Sequence, residues 1–274
     1  MKQPIWLLCS TALALALLTG CESGKSASEN NGEPATNIMG PSIEKNGIRL
    51  IPFDDSPKFP AAQLSLRTPP AGASVPSGPV AFNYQVSNFE LTKMSSGRHM
   101  ADMANSVKGQ HIHNIVDNEP YTAHYETSFT KPLADGQHVV LSFLSRSYHE
   151  SLKHRGAYDL RLVTVGNAPA PATPLLDVNQ PHLFYSRPKD TYTGADTKRI
   201  MLDFYLVNTT LEPGENNVRA TINGTEFLLD KWVPYQLEGL PAGENTVKLE
   251  LVDSNGKLLP GPFNSVTRTF TVTP

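Results

Sequence analysis

The sequence of 274 residues predicts an all-β protein of two tandem immunoglobulin-like β-sandwich domains, and three observations carry that expectation. Short runs of β-branched, aromatic and aliphatic residues recur along the chain, punctuated by Gly, Pro and Asn. None of them shows sustained helical periodicity. The two halves also align with each other, the mark of an internal duplication.

In chain order, residues 1–20 have the form of a signal peptide, with Lys2 as the positive region, an apolar stretch over residues 5–18, and small residues before Cys21. That stretch is too short to span a bilayer. Leu18-Thr19-Gly20-Cys21 resembles a bacterial lipobox, which implies cleavage before Cys21 and a lipid on its thiol. Glu22 at the following position goes, in Gram-negative lipoproteins, with export to the outer membrane. Residues 21–46 are rich in Ser, Asn, Gly, Glu and Lys, the composition of a disordered tether. The expected address is the cell envelope, with the membrane reached through the lipid.

Residues 47–166 are expected to form the first sandwich. Its strands fall at 48–51, 64–66 and 80–91, then, after a loop over 94–109, run from 109 to 165. Pro52, Pro57 and Pro60 mark turns and edges. Residues 167–174, NAPAPATP, form a linker, and residues 175–274 a second sandwich with strands near 184, 200–208, 218–222, 226–229, 245–252 and 267–272.

The duplication places residues 82–88 over 202–208, 116–121 over 222–227, 135–139 over 242–246, and 161–165 over 268–272. Asp117-Asn118 and Asn223-Gly224 then occupy equivalent β-turns. Trp232 and Tyr235, flanking Pro234, are expected to cover the second core.

Histidines distinguish the copies. His111 and His113 flank Ile112 in a strand, so both point to one face. His138, His149 and His154 follow within the same half. In the alignment His111 falls on Asn217, His113 on Arg219 and His138 on Asn245, so a shared fold does not require the imidazoles. Neutral imidazole is a common ligand for zinc and copper, and His111, His113, His138, His149 and His154 are the candidate ligands. Met94, Met100 and Met103, with His99, lie in the preceding loop, where thioethers would favour Cu(I). The alternative for these groups is structural packing against Tyr84, Tyr121 and Tyr125.

Several chemistries are excluded. Cys9 and Cys21 are the only cysteines, the first in the signal peptide and the second at the lipidation position, so thiol catalysis and thiolate ligation are excluded. His149-Glu150-Ser151-Leu152-Lys153-His154 is one residue too long for HExxH. There is no G-x-S-x-G elbow, and a formal net charge of -3 provides no footprint for nucleic acid. The expected protein is therefore not an enzyme.

Ser145-Arg146-Ser147-Tyr148-His149 and Asn223-Gly224-Thr225 resemble the Ser-Arg-x-His and Asn-Gly-Thr segments of forkhead-associated modules. This implies a phosphate or phosphopeptide site at Ser145, Arg146, Ser147 and His149, although the first segment is longer by one residue and the second lies in the other half. Ser186-Arg187-Pro188-Lys189 is expected to be an exposed basic turn. Residues 48–274 as a whole resemble a family of two-domain bacterial lipoproteins, common in Bacteroidetes-like organisms, on the blocks GQHIHNIVDNEPYTAHY, LSFLSRSYHES, MLDFYLVNTTL and INGTEFLLDKWVPYQLEGLPAGENT. Some members carry the label phosphopeptide-binding protein. The resemblance implies a fold and an address, with an envelope protein or peptide as a further partner. A third expectation is a purely structural or assembly lipoprotein.

Overall fold

The computed structural model describes residues 41–167 and 173–274. The expected signal peptide, Cys21, most of the tether and the middle of the linker lie outside the described residues. Within them the chain begins with strands β1 (Ile43–Lys45) and β2 (Ile48–Pro52). Next come β3 (Gln63–Thr68), β4 (Ser74–Val75), β5 (Gly78–Ser87), β6 (His111–Val116), β7 (Thr122–His124), β8 (Ser128–Leu133), β9 (Gly136–Ser145) and β10 (Tyr158–Val165). The second half holds β11 (His182–Arg187), β12 (Thr191–Thr193), β13 (Ile200–Val207), β14 (Asn217–Ile222), β15 (Thr225–Leu229), β16 (Tyr235–Glu238), β17 (Gly243–Val252) and β18 (Ser265–Thr273).

Two β-sandwiches result, and their topologies repeat. The first pairs a sheet of order β4-β10-β9-β6-β7 with one of order β3-β5-β8. The second pairs β12-β18-β17-β14-β15 with β11-β13-β16, the latter extended by β2 and β1. Even the short parallel pairings recur, β4 on β10 and β12 on β18.

Patterning explains which strands sit where. In β5 every second residue is buried, with Val80, Phe82 and Tyr84 facing inward, as in a sheet with one wet face. In β6 and in β13 every residue is buried, as is most of β9. Their sheets are covered on both faces. Ile112, Val116, Val140 and Leu144 fill the first core with Leu64, Leu66 and Phe82. On the opposite face Ile115, Tyr121, Val139, Leu141 and Phe143 pack against Phe184, Tyr205 and Val207 of the second sandwich. This seam is a third core, in which Phe143 stacks on Tyr205 at 4.6 Å between ring centroids. Each large side chain buried there contributes about 1.5–3 kcal/mol. Across the seam the Tyr185 N–H donates to Asn118 Oδ1 at 3.0 Å and the Tyr205 hydroxyl to the Leu152 carbonyl at 2.9 Å.

Two expectations are corrected. Residues 48–51, assigned to the first sandwich by order in the chain, belong to the second: β2 pairs antiparallel with β16, and Ile48 and Leu50 enter the second core. The reason is edge closure, since without β2 the β16 backbone would present unpaired N–H and C=O groups. The tether also ends earlier than residue 46, because Ile43–Lys45 pairs with β2. Trp232 is half-buried, set edge-on to Tyr205 at 5.3 Å, and borders both the second core and the seam. Asp117, Asn118, Asn223 and Gly224 all adopt positive φ, as turn residues do.

Truncating Phe143 tests the seam. Phe143→Ala should lower unfolding free energy by about 3–5 kcal/mol, measured by urea titration monitored through Trp232 fluorescence; a loss under about 1 kcal/mol would mean that the two sandwiches do not rely on this contact.

Candidate metal centre

His111 and His113 lie on the face of β6 that carries Ile115, so both imidazoles enter the seam, and both are 0% exposed. The third member comes from a turn. Between β9 and β10 the His149 N–H donates to the Arg146 carbonyl and the Arg146 N–H to the Glu150 carbonyl, closing a tight loop. His149 sits there at φ 70°, in the left-handed region that a β-carbon disfavours. The second sandwich makes the same turn with the same two bonds, from Gly256 to Asp253 and from Asp253 to Lys257, and its left-handed residue is Gly256 at φ 77°. The first copy thus holds an imidazole where the fold favours glycine.

The three rings converge. His111 Nε2 is 2.8 Å from His113 Nε2 and 3.2 Å from His149 Nδ1, and the three ligand atoms lie within 4.8 Å of one another. For metal–nitrogen bonds of about 2.0–2.1 Å, tetrahedral nitrogens stand about 3.3–3.4 Å apart. The His111–His149 separation is near that length, whereas the 2.8 Å between His111 and His113 is a hydrogen-bond distance that would have to open by about half an ångström around an ion. His111 Nδ1 lies 2.8 Å from the Gly109 carbonyl, which can only accept, so Nδ1 carries the ring proton and Nε2 keeps its lone pair toward the cluster. Gly109 fits because it has φ 83° and its missing β-carbon would lie 2.3 Å from the Thr92 oxygen. His113 Nδ1 is buried without a partner, so at least one polar ring atom here is unsatisfied.

Aromatic rings wall the cluster. Tyr121 stacks on His113 at 3.5 Å and 11°, and its hydroxyl is 3.3 Å from His149 Nδ1. Tyr125 stands 5.1 Å from His111 and Phe143 5.1 Å from His113. Burial is the largest influence on all three imidazoles and holds them neutral: the His111 pKa falls to about 4, and those of His113 and His149 are pushed well below the usual value. Neutral imidazole is the form that binds a metal.

The remaining predicted ligands lie elsewhere. His138 is on the face of β9 opposite Val139 and Phe143, since alternate residues face opposite ways. Its Nδ1 pairs with Asp117 at 2.6 Å and its Nε2 donates to the Ala134 carbonyl at 2.8 Å. Asn245 makes the same two links, to Asn223 at 2.7 Å and to the Pro241 carbonyl at 2.9 Å, so His138 is a turn clasp that the duplicate builds with asparagine. His154 donates to the Phe59 carbonyl at 3.1 Å. His99 pairs with Asp55 at 2.6 Å, Met103 packs on Phe53, Tyr148 and Met201, and Met94 and Met100 are exposed. Among the described residues no thioether therefore joins the cluster.

The phosphate set is corrected as well. Arg146 is buried, with its guanidinium shared among Glu150 and the carbonyls of Pro57 and Ser151. Ser147 is 0% exposed, and the Ser95 and Ser147 hydroxyls each accept from the other residue's N–H. Ser145 Oγ donates to the Arg146 carbonyl. The set is internally satisfied rather than open to an anion. Arg187, expected in an exposed turn, is instead buried at the seam, where Nη1 donates to the Tyr192 oxygen at 3.0 Å and Nη2 to that of Tyr121. A partner in the other half of the chain leaves no local signal. The special place of His149 was legible, by laying Arg146-Ser147-Tyr148-His149 over Asp253-Ser254-Asn255-Gly256.

No protein-family model matches the chain, and no curated protein matches it. Solved structures resemble it at low identity. The fibronectin(III)-like modules of Clostridium thermocellum CbhA are 10% identical, with 77% of this chain and 94% of that chain covered and a TM-score of 0.26. A Bacteroides ovatus mixed-linkage glucan utilization locus protein, SGBP-B, solved with a mixed-linkage heptasaccharide, is 12% identical over 77% of this chain and 71% of that chain, with a TM-score of 0.23. Neural ectodermal development factor IMP-L2 is 9% identical over 78% and 95%, with a TM-score of 0.26.

Two outcomes follow for the metal-free protein. His149→Gly should raise stability by about 1 kcal/mol by releasing left-handed strain, as read by thermal or urea unfolding; a destabilised variant would show that the ring's packing outweighs the backbone. The depressed pKa values fix the sign of the pH dependence. Above about 6.5 neither state binds the protons, whereas between about 6.5 and 4 the unfolded chain takes up protons that folded His111 refuses. Stability should therefore fall on acidification through that window, by up to about 1.4 kcal/mol per pH unit for each such histidine. A flat urea midpoint from pH 7 to 5 would contradict it.

Proposed function

We propose that this is a non-enzymatic, lipid-anchored protein of the bacterial cell envelope whose seam binds one copper or zinc ion through His111, His113 and His149. The observation that carries the reading is the convergence of three neutral imidazoles, two buried and one half-buried, the last held at a left-handed position that the duplicate fills with glycine. Packing alone gives no reason for that residue. The envelope address rests on the segment ending in Cys21, through whose lipid the protein would reach the membrane, the outer one in a Gram-negative host. Among the described residues no helix is long and apolar enough to cross a membrane. The partner is then the ion itself, with an envelope protein as its donor or acceptor, and nucleic acid plays no part.

Metal analysis of the purified full-length protein, with copper and zinc titrations, tests this. One equivalent per chain is expected, with affinity lowered at least about 100-fold in His111→Ala/His113→Ala and with the metal-bound form stabilised by about 2.7 kcal/mol at a hundredfold excess over Kd. Equal affinity in both proteins would remove the metal reading and leave a structural or assembly lipoprotein, which crosslinking in cells would pursue.

A further inference from the structure

The three-histidine cluster is neighboured by two positive charges, Arg187, which has no ion pair among the described residues, and Lys189, whose carboxylate partner faces solvent. Arg187 is buried and makes no ion pair among the described residues; its two terminal nitrogens donate to neutral phenols, Tyr121 and Tyr192, and its Nε has no partner. Lys189 Nζ lies 4.8 Å from the centre of the Tyr121 ring that stacks on His113, and its ion partner Asp190 is largely exposed. The cluster of candidate ligands holds histidine alone, with neither carboxylate nor thiolate.

This arrangement bears on which ion can be held. Repulsion from a fixed positive charge scales with the charge of the ion, and the solvation lost on entering a dry interior scales with its square. A divalent ion at three neutral imidazoles would therefore meet twice the repulsion, and lose about four times the solvation, of a monovalent one. Zinc sites ordinarily complete a fourth position with a protein anion or a water molecule. Here the Tyr121 hydroxyl beside His149 accepts from Arg187, and His111 and His113 are 0% exposed while His149 is half-buried, so solvent approaches the cluster from the His149 side alone. Cu(I) carries one charge and is satisfied by two or three ligands.

We infer that the centre selects Cu(I) over Zn(II) and Cu(II), and that Arg187 and Lys189 set this preference by opposing a second positive charge. The inference rests on the metal-binding reading above. Imidazole nitrogen accommodates both elements, so here charge decides rather than the softness of the donor.

The test measures both affinities on the full-length protein. Cu(I) is titrated anaerobically under ascorbate against bathocuproine disulfonate, and Zn(II) against a chromophoric zinc indicator, for the wild type, Arg187→Gln and Lys189→Gln. Lys189 is at the rim, with its side chain 19% exposed, so its variant keeps the test open if Arg187→Gln fails to fold. The wild type should bind Cu(I) at least about 100-fold more tightly than Zn(II), and each variant should narrow that ratio by roughly tenfold, mainly by tightening zinc. Zinc binding equal to Cu(I) in the wild type, or a ratio unchanged in Lys189→Gln, would overturn the charge selection and leave the metal site standing. A visible tyrosinate-to-Cu(II) absorption band lost in Tyr121→Phe would overturn it too, since the phenolate would then supply the missing negative charge. A wild type that binds neither ion would overturn both readings.

Discussion

The seam between the two sandwiches is the constraint on which the rest of the structure depends. A sheet in a free-standing immunoglobulin-like domain buries one face and wets the other; here the sheet bearing β6 and β9 is buried on both. The outer face packs Phe143, Leu141 and Ile115 against Phe184, Tyr205 and Val207. Histidines on that face are thereby removed from water. Burial does two things to them at once: it holds them neutral, and it brings them beside Arg187 and Lys189 of the other half. The same residues on an exposed sheet would be ordinary titrating side chains.

Much of the fold was legible because its signals are local. Alternation in β5, turn residues at Asp117 and Asn223, and the matching order of apolar runs all reside in the sequence itself. The place of β2 was not. Its apolar pattern fits either sandwich, and the choice is made by the unpaired edge of β16, almost two hundred residues away in the chain. For the same reason Arg187 looked like a surface residue, since its burial comes from residues of the opposite half.

The site was legible in part. Strand periodicity put His111 and His113 on one face, and the duplication identified them as additions to the common fold. That comparison misled at His138, because the duplicate replaces histidine by an asparagine that makes the same hydrogen bonds. A difference between copies marks a function only when the second residue cannot perform the first one's structural task. His149 passes that criterion: glycine relaxes its turn and offers no ligand.

The attachment of residues 43–52 to the second sandwich makes the first an insertion within it. One sheet of the second sandwich draws strands from both sides of residues 63–165. In chain order the inserted sandwich is complete before β11 to β18 of its host begin. The edge of β2 not taken by β1 must remain unpaired until β16 arrives, and only with the second half do the two parts of the histidine pocket meet. Assembly of the pocket thus requires the C-terminal half, so a chain truncated after the first sandwich would carry all three imidazoles yet leave their seam face open to water.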